Sequence, residues 1–262
     1  MRLSSRRSFH SGPAELSGDA RDVRRTRPHR HSVGAFVDMG AGIPGFPGRR
    51  YSSSRAELIV DGVIHAVGLI LVVAGGFILL TELRPDIVPE QYFAAAIYVS
   101  SLLTVFSISC AYNLWPISPT KRWLRRLDHA AIFLLIAGTY TPLLLQMTQT
   151  ELVQWMVAVI WSVAALGAIV KLFLPGRFER LAVGFYVAMG FTGVIVFRSL
   201  TDALPATALW LILGGALVYC TGVSFYLWPK LRFHVPTWHA FVVVAASLHL
   251  SAIIDTLVLA RS

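Results

Sequence analysis

The chain has 262 residues, of which 55% are hydrophobic and only 14% charged, whereas a soluble globular domain carries about 25% charged residues. This composition excludes an ordinary water-soluble domain and indicates an integral membrane protein. The formal net charge is +9, and the two cysteines lie in apolar stretches without a CxxC pattern. A disulfide scaffold and a cysteine-based metal site are therefore excluded as well.

Residues 1–55 form a basic segment that is rich in Arg, Ser, Gly and Pro, with eleven arginines against four acidic residues. It shows neither helical periodicity nor strand alternation, so we predict a disordered tail. No apolar stretch follows its first arginines, and a secretory signal is not expected. Three interpretations of the tail stay open: it contacts anionic lipid head groups, it has no role, or it is an Arg- and Ser-rich organelle transit peptide, against which its four acidic residues count.

Seven apolar stretches follow the tail, and each has about the twenty residues that a helix needs to cross the hydrocarbon. Their residues do not alternate as those of barrel strands would, so we predict an all-α, seven-transmembrane helix bundle over residues 56–262. The predicted spans are 57–82, 91–115, 127–147, 152–174, 179–200, 205–228 and 237–259.

The lysines and arginines outside the tail predict the orientation. The outer side of the bundle carries only Arg84, Arg198 and Arg261 if the tail is cytoplasmic. By the positive-inside rule the amino terminus is then cytoplasmic. We place the basic run 121–126 in a cytoplasmic loop between the second and third spans. The inner side carries nine basic residues in all: Lys121, Arg122, Arg125, Arg126, Lys171, Arg177, Arg180, Lys230 and Arg232.

Polar side chains lie near the predicted cytoplasmic ends of four spans. In the first span, Asp61 and His65 are four residues apart and therefore share one helix face. Ionisable side chains in spans are costly, and by default they mark a site that faces the bundle interior. The other polar residues are Ser109 and Asn113 at the end of the second span, Asp128 and His129 at the start of the third, and His234 and His239 at the start of the seventh.

Three of the histidines have a plainer interpretation. His129 can lie at the membrane interface, and His234 can be a solvated loop residue. His249 lies ten residues after His239, which is ~15 Å of helix rise. At that depth a histidine is typical of hydrogen-bonded helix packing rather than of a ligand site.

Asp61, His65, Asp128 and His239 remain as the candidate site. They can form a structural network between helices, but such hydrogen bonds contribute only about 0.6 kcal/mol on average. Imidazole nitrogen and carboxylate oxygen are also zinc ligands, and a catalytic zinc site leaves one position open for water. Zinc lowers the pKa of that water, which can then attack a carbonyl.

Four stretches of the chain are distinctive: "ELIVDGVIHAVG", "RRLDHAAIFLLIAGTYTP", "GGALVYCTGVSFY" and "WHAFVVVAASLH". They resemble the hemolysin III family of seven-helix bacterial membrane proteins, which are relatives of the adiponectin and progestin receptors. The resemblance covers about residues 56 to 258. It implies a Ser-x-x-x-His in the second helix, an Asp opening the third and a His-x-x-x-His opening the seventh. In that pattern the three histidines hold zinc, while Ser and Asp act on the metal-bound water.

The chain matches this pattern at Ser109, Asp128 and His239 and departs from it elsewhere. The second-helix His is replaced by Asn113, and Val235 stands four residues before His239. His234 is one position away, which turns it about 100° around the helix. The first span has an acid four residues before its His, where the family often has Asn. Either the site has been rebuilt, or it has decayed and lost the metal; a rebuilt site would use Asp61, Asp128 and His239, with His65 or His234 nearby.

Two functions remain open. The incomplete ligand set favours a non-enzymatic hemolysin III-type protein that acts in membrane-lipid homeostasis or membrane permeabilisation. The alternative is a zinc-dependent hydrolase of a lipid amide or acyl bond, in which Ser109 and Asp128 orient the water. Membrane lipids are the expected partners and the bacterial inner membrane the expected location. Nucleic-acid binding is not expected, and the sequence does not indicate an oligomeric state.

Overall fold

The computed structural model describes residues 54–84, 86–148, 150–174 and 179–259, and all regular structure within these ranges is helical. Residues 1–53, which hold nearly all of the predicted tail, lie outside the described residues. A short 3-10 turn lies between α5 and α6, and a π-helical turn, Asp255–Leu259, extends α8. The helices are α1 Arg55–Thr81, α2 Pro89–Leu114, α3 Pro119–Leu144, α4 Thr150–Phe173, α5 Glu179–Phe191, α6 Phe197–Ala203, α7 Ala206–Tyr226 and α8 His234–Ile254.

Six of these helices are long and apolar enough to cross a membrane, and the count reaches seven if the bent pair α5–α6 forms one span. This pair corresponds to the predicted span 179–200, but its two parts meet at an angle of 58°. At the break, the Tyr140 hydroxyl donates to the Gly190 carbonyl (2.6 Å) and accepts from the Gly193 N–H (2.8 Å). Tyr140 of α3 thus forms hydrogen bonds with backbone groups at the break. Backbone polar groups inside a membrane need such partners, because no water is present to pair with them.

One narrow stripe of α1 faces the bundle. Its first turn is closed by a capping box between Ser54 and Glu57, which satisfies two backbone donors at the helix start. The opposite face is exposed and apolar, as expected of a lipid-facing surface. The buried residues recur every three or four positions: Asp61, His65, Gly68, Val72, Gly76 and Leu79.

α3 begins eight residues before the predicted span. The prediction followed the apolar residues and therefore left out the first two turns of the helix, which are basic. Ser118 caps the helix by accepting from the Lys121 N–H, and Pro119 follows at the first helical position. The prediction that residues 121–126 form a loop is therefore wrong: they are helical. α8 likewise begins at His234 instead of residue 237, so His234 is helical and not a loop residue.

The helices pack in an order that brings α1, α2, α3 and α8 together. α2 packs between α1 and α3, α8 packs between α1 and α7, and α3 also contacts α4, α5 and α8. The starts of α1 and α8 meet where a Glu57 carboxylate oxygen accepts from the Phe233 N–H at 3.2 Å. Polar residues near these ends can therefore reach a common interior.

Candidate metal centre

α1 and α8 bring two histidines and an aspartate into contact. Asp61 and His65 lie one turn apart on the buried stripe of α1, and His239 lies in the second turn of α8. All three are almost fully buried, at 4%, 3% and 9% exposure. Their possible ligand atoms lie within 4.8 Å of one another. We call these three residues the Asp–His–His cluster.

Asp61 orients both imidazole rings. His239 Nδ1–H donates to the Asp61 carboxylate at 2.6 Å, and His65 Nδ1–H donates to the Asp61 backbone carbonyl at 2.8 Å. The two rings meet edge to face, with their centroids 4.6 Å apart. A neutral ring that donates through Nδ1 has an unprotonated Nε2, whose lone pair can accept a hydrogen bond or bind a metal ion.

Ser109 and Asn113 of α2 form the next layer of the site. His65 Nε2 lies 3.3 Å from the Ser109 hydroxyl oxygen. The Asn113 amide donates to the Ser109 carbonyl at 2.9 Å and to the Ser109 hydroxyl at 3.3 Å. Asn113 thus holds Ser109 in place and makes no contact with the cluster itself among the described residues.

Asp128 and His234 lie outside the cluster in the described part of the chain. The Asp128 carboxyl is within interaction range of the Ser109 hydroxyl, of His239 and of Asp61, so α3 contributes to the same chamber. His234 Nδ1 instead donates to the Leu231 carbonyl at 3.2 Å, within the turn before α8. The one-position offset noted in the sequence thus leaves His234 outside the three-residue cluster.

His129 and His249 make contacts between helices away from the cluster. The His129 carbonyl accepts from the Tyr186 hydroxyl at 2.8 Å, which ties α3 to α5. His249 Nε2–H donates to the Ile212 carbonyl at 3.1 Å, and its ring fills the space that Gly215 leaves on α7. The packing role expected for His249 is the one the structure shows.

The donor set fits a metal ion. Two imidazoles and a carboxylate are a ligand combination of zinc enzymes. The Nδ1–H of His65 donates to a backbone carbonyl and that of His239 to a carboxylate, which are the partners that usually orient metal-binding histidines. The cluster can therefore hold a metal ion through Asp61, His65 and His239.

A small cavity of about 20 Å³ adjoins the cluster. It is large enough for about one water molecule. Three polar residues, His65, Ser109 and His239, form one part of its wall. The rest of the wall is apolar and consists of Ile64, Val105, Phe106, Val242 and Val243. The sequence could not single out these residues, because every membrane span is rich in similar apolar residues.

The family model for proteins described as "Haemolysin-III related" matches residues 55–250. The chain belongs to this family. Hemolysin-3 of Bacillus cereus is 31% identical over 192 residues, covering 73% of this chain and 88% of that protein. The hemolysin-3 homolog of Bacillus subtilis (strain 168) is 32% identical over 191 residues, covering 71% and 87%. The resemblance identified from the sequence motifs is confirmed, and the protein is an integral membrane protein.

Mammalian members of the wider group also match this haemolysin-III related chain. The human monocyte to macrophage differentiation factor is 29% identical over 214 residues, which cover 78% of this chain and 86% of that protein. No solved structure matches the chain.

Proposed function

We propose that the protein is a zinc-dependent hydrolase that cleaves an amide or other acyl bond of a membrane lipid and thereby takes part in membrane-lipid homeostasis. The observation that supports it is the buried Asp–His–His cluster beside a cavity that Ser109 also lines. The missing imidazoles left both a rebuilt and a decayed site open. Asp61 supplies a third donor, and this favours a rebuilt one.

The chain's own residues have separable roles in this proposal. Asp61, His65 and His239 would hold the metal, with both rings oriented by Asp61. Zinc, when bound, lowers the pKa of water and polarises a carbonyl group. Ser109 is held by Asn113 at the cavity wall, where its hydroxyl can hydrogen-bond to a substrate oxygen. The Asp128 carboxylate lies within reach of Ser109 and can accept a proton from the water that attacks the lipid carbonyl.

Substrate and location follow from the surroundings of the site. The cavity walls are apolar apart from three residues, and the bundle is surrounded by hydrocarbon. A lipid can therefore bring its carbonyl group to the cluster without leaving the bilayer, after local movement of the walls. The bacterial relatives suggest the bacterial inner membrane as the location.

Metal analysis of the purified, detergent-solubilised protein tests the proposal. We expect about one zinc per chain in the wild type, and a loss of most of it in His239→Ala. His234→Ala is the matched control, because it removes a histidine near the same end of α8 that lies outside the cluster. Equal zinc in the wild type and His239→Ala, or none in either, would falsify the proposal.

The name of the Bacillus cereus relative, hemolysin-3, suggests membrane permeabilisation as a second candidate function. Dye release from liposomes that contain the purified protein measures it directly. Equal dye release with the wild type and His239→Ala would show that permeabilisation does not depend on the metal centre. No dye release with the wild type would rule out permeabilisation as a function.

A further inference from the structure

A second polar layer lies deeper in the bundle than the Asp–His–His cluster. On α1, Gly75 and Gly76 lie ten and eleven residues after His65, which is ~15 Å along the helix. Leu250 of α8 packs into the space left by Gly75, and Val99 of α2 into that left by Gly76. These contacts place 98–99 of α2 and 249–250 of α8 at one depth.

Tyr98 and His249 lie at this depth. Tyr98 is fully buried, at 0% exposure, and its hydroxyl has no hydrogen-bond partner among the described residues. A buried hydroxyl without a partner is unfavourable, and most such groups in native structures are paired with protein or with an ordered molecule. The Tyr98 hydroxyl therefore requires an acceptor that the described residues do not supply.

Two neighbouring side chains complete the layer. The phenol of Tyr219 on α7 is close enough to interact electrostatically with that of Tyr98. The Tyr219 and His249 rings meet edge to face, with their centroids 5.5 Å apart. Because His249 donates through Nε2 to the Ile212 carbonyl, its Nδ1 remains an acceptor when the ring is neutral.

We propose that Tyr98, Tyr219 and His249 form a second internal binding site, which holds a small hydroxyl-bearing molecule. The ligand accepts a hydrogen bond from Tyr98, and its own hydroxyl can donate in return. Water is the smallest molecule of this class, and the hydroxyl of a membrane lipid offers the same chemistry. The site goes beyond the proposed hydrolase, since it shares no residue with the Asp–His–His cluster.

The substitution Tyr98→Phe tests the proposal through the sign of its effect on stability. If the hydroxyl binds a ligand, its removal lowers the melting temperature of the detergent-solubilised protein by about 2–4 °C. Tyr140→Phe calibrates the measurement, because that hydroxyl makes two hydrogen bonds and its loss must lower the melting temperature. A melting temperature of Tyr98→Phe that is equal to or above the wild type overturns the proposal.

A double-mutant cycle with Tyr219→Phe tests whether the two hydroxyls share the ligand. Non-additive shifts support one shared molecule, and strictly additive shifts overturn the shared site. Lipid extraction from the purified protein separates the two ligand sources: a co-purifying lipid that Tyr98→Phe loses identifies a lipid hydroxyl, and a lipid-free protein identifies water. Zinc content is measured on the same variants, and we expect it to stay at the wild-type level, so failure of the hydrolase proposal and failure of this site are distinguishable.

Discussion

Asp61 is the residue on which the candidate site depends. A carboxylate inside a membrane bundle is costly unless it is paired and hydrogen-bonded. Asp61 meets this requirement through His239 on α8, while its backbone carbonyl orients His65 on its own helix. A single residue of α1 thus orients both imidazoles of the cluster, which explains how a chain that lacks two expected histidines still assembles three zinc-type donors.

Gly215 shows how a residue without a side chain permits close contact between two helices. A Cβ atom at this position would lie only 2.3 Å from Cδ2 of His249, so the close packing of α7 on α8 requires glycine. We predict that Gly215→Ala destabilises the protein by about 1–3 kcal/mol through overpacking. Thermal unfolding in detergent measures the change.

Gly184→Ala is the control for this prediction. It places the same methyl group in α5, where nothing lies within 4 Å of the added atom. We expect it to be neutral or slightly stabilising, because alanine favours the helix. Equal destabilisation by both variants would show that backbone effects, and not the contact with His249, decide the result.

The basic first turns of α3 hold two neighbouring helix ends. Lys121 is buried, and its Nζ donates to the carbonyls of Asn113 and Trp115 at the end of α2, at 3.2 and 2.8 Å. Arg126 donates to the Leu172 carbonyl near the end of α4 at 3.3 Å. The last carbonyls of a helix have no partner within it and carry partial negative charge. The basic run therefore stabilises the element boundaries besides orienting the chain.

We predict that Lys121→Met destabilises the protein by about 1–3 kcal/mol, because two part-buried carbonyls at the end of α2 lose a charged donor. For a chain of this size this corresponds to a melting temperature lower by at least about 2 °C. Lys230→Met is the matched control, because Lys230 is exposed and removes the same charge from the predicted cytoplasmic side. An unchanged melting temperature for Lys121→Met would show that water or lipid head groups replace the cap.

At the scale of the whole molecule, five of the described helix ends lie on one side of the bundle. α1, α3 and α8 begin there, and α2 and α4 end there. The Asp–His–His cluster lies near this side, which the positive-inside rule predicts to be cytoplasmic. The candidate centre would then act at the inner leaflet.

Cysteine labelling tests this orientation. We expect Lys230→Cys to react with a membrane-impermeant maleimide only in inside-out vesicles, and Glu82→Cys, in the α1–α2 connection, only in right-side-out vesicles. The unsubstituted protein measures the background from Cys110 and Cys220. The opposite pattern would place the cluster at the outer leaflet.

The helical membrane fold and part of the site could be predicted from local sequence signals. Apolar length indicated most of the spans, and the i, i+4 spacing of Asp61 and His65 placed both on one face of α1. The start of α3 could not be predicted in this way, because its first turns are charged and are stabilised by contacts with the ends of two other helices, α2 and α4. The break between α5 and α6 was missed because residues 193–197 are apolar, while the partner of the break, Tyr140, lies on α3.

The sequence by itself determined that this chain lies in a membrane as a helical bundle, because apolar composition and run length act locally along each span. Only the tertiary structure decided which polar residues meet: His65 joined Asp61 and His239, whereas Asp128 and His234 stayed outside the cluster. The physical reason is that helix rotation and register depend on packing between spans, through contacts such as Leu250 at Gly75 and His249 at Gly215. Spacing within one helix does not contain that information.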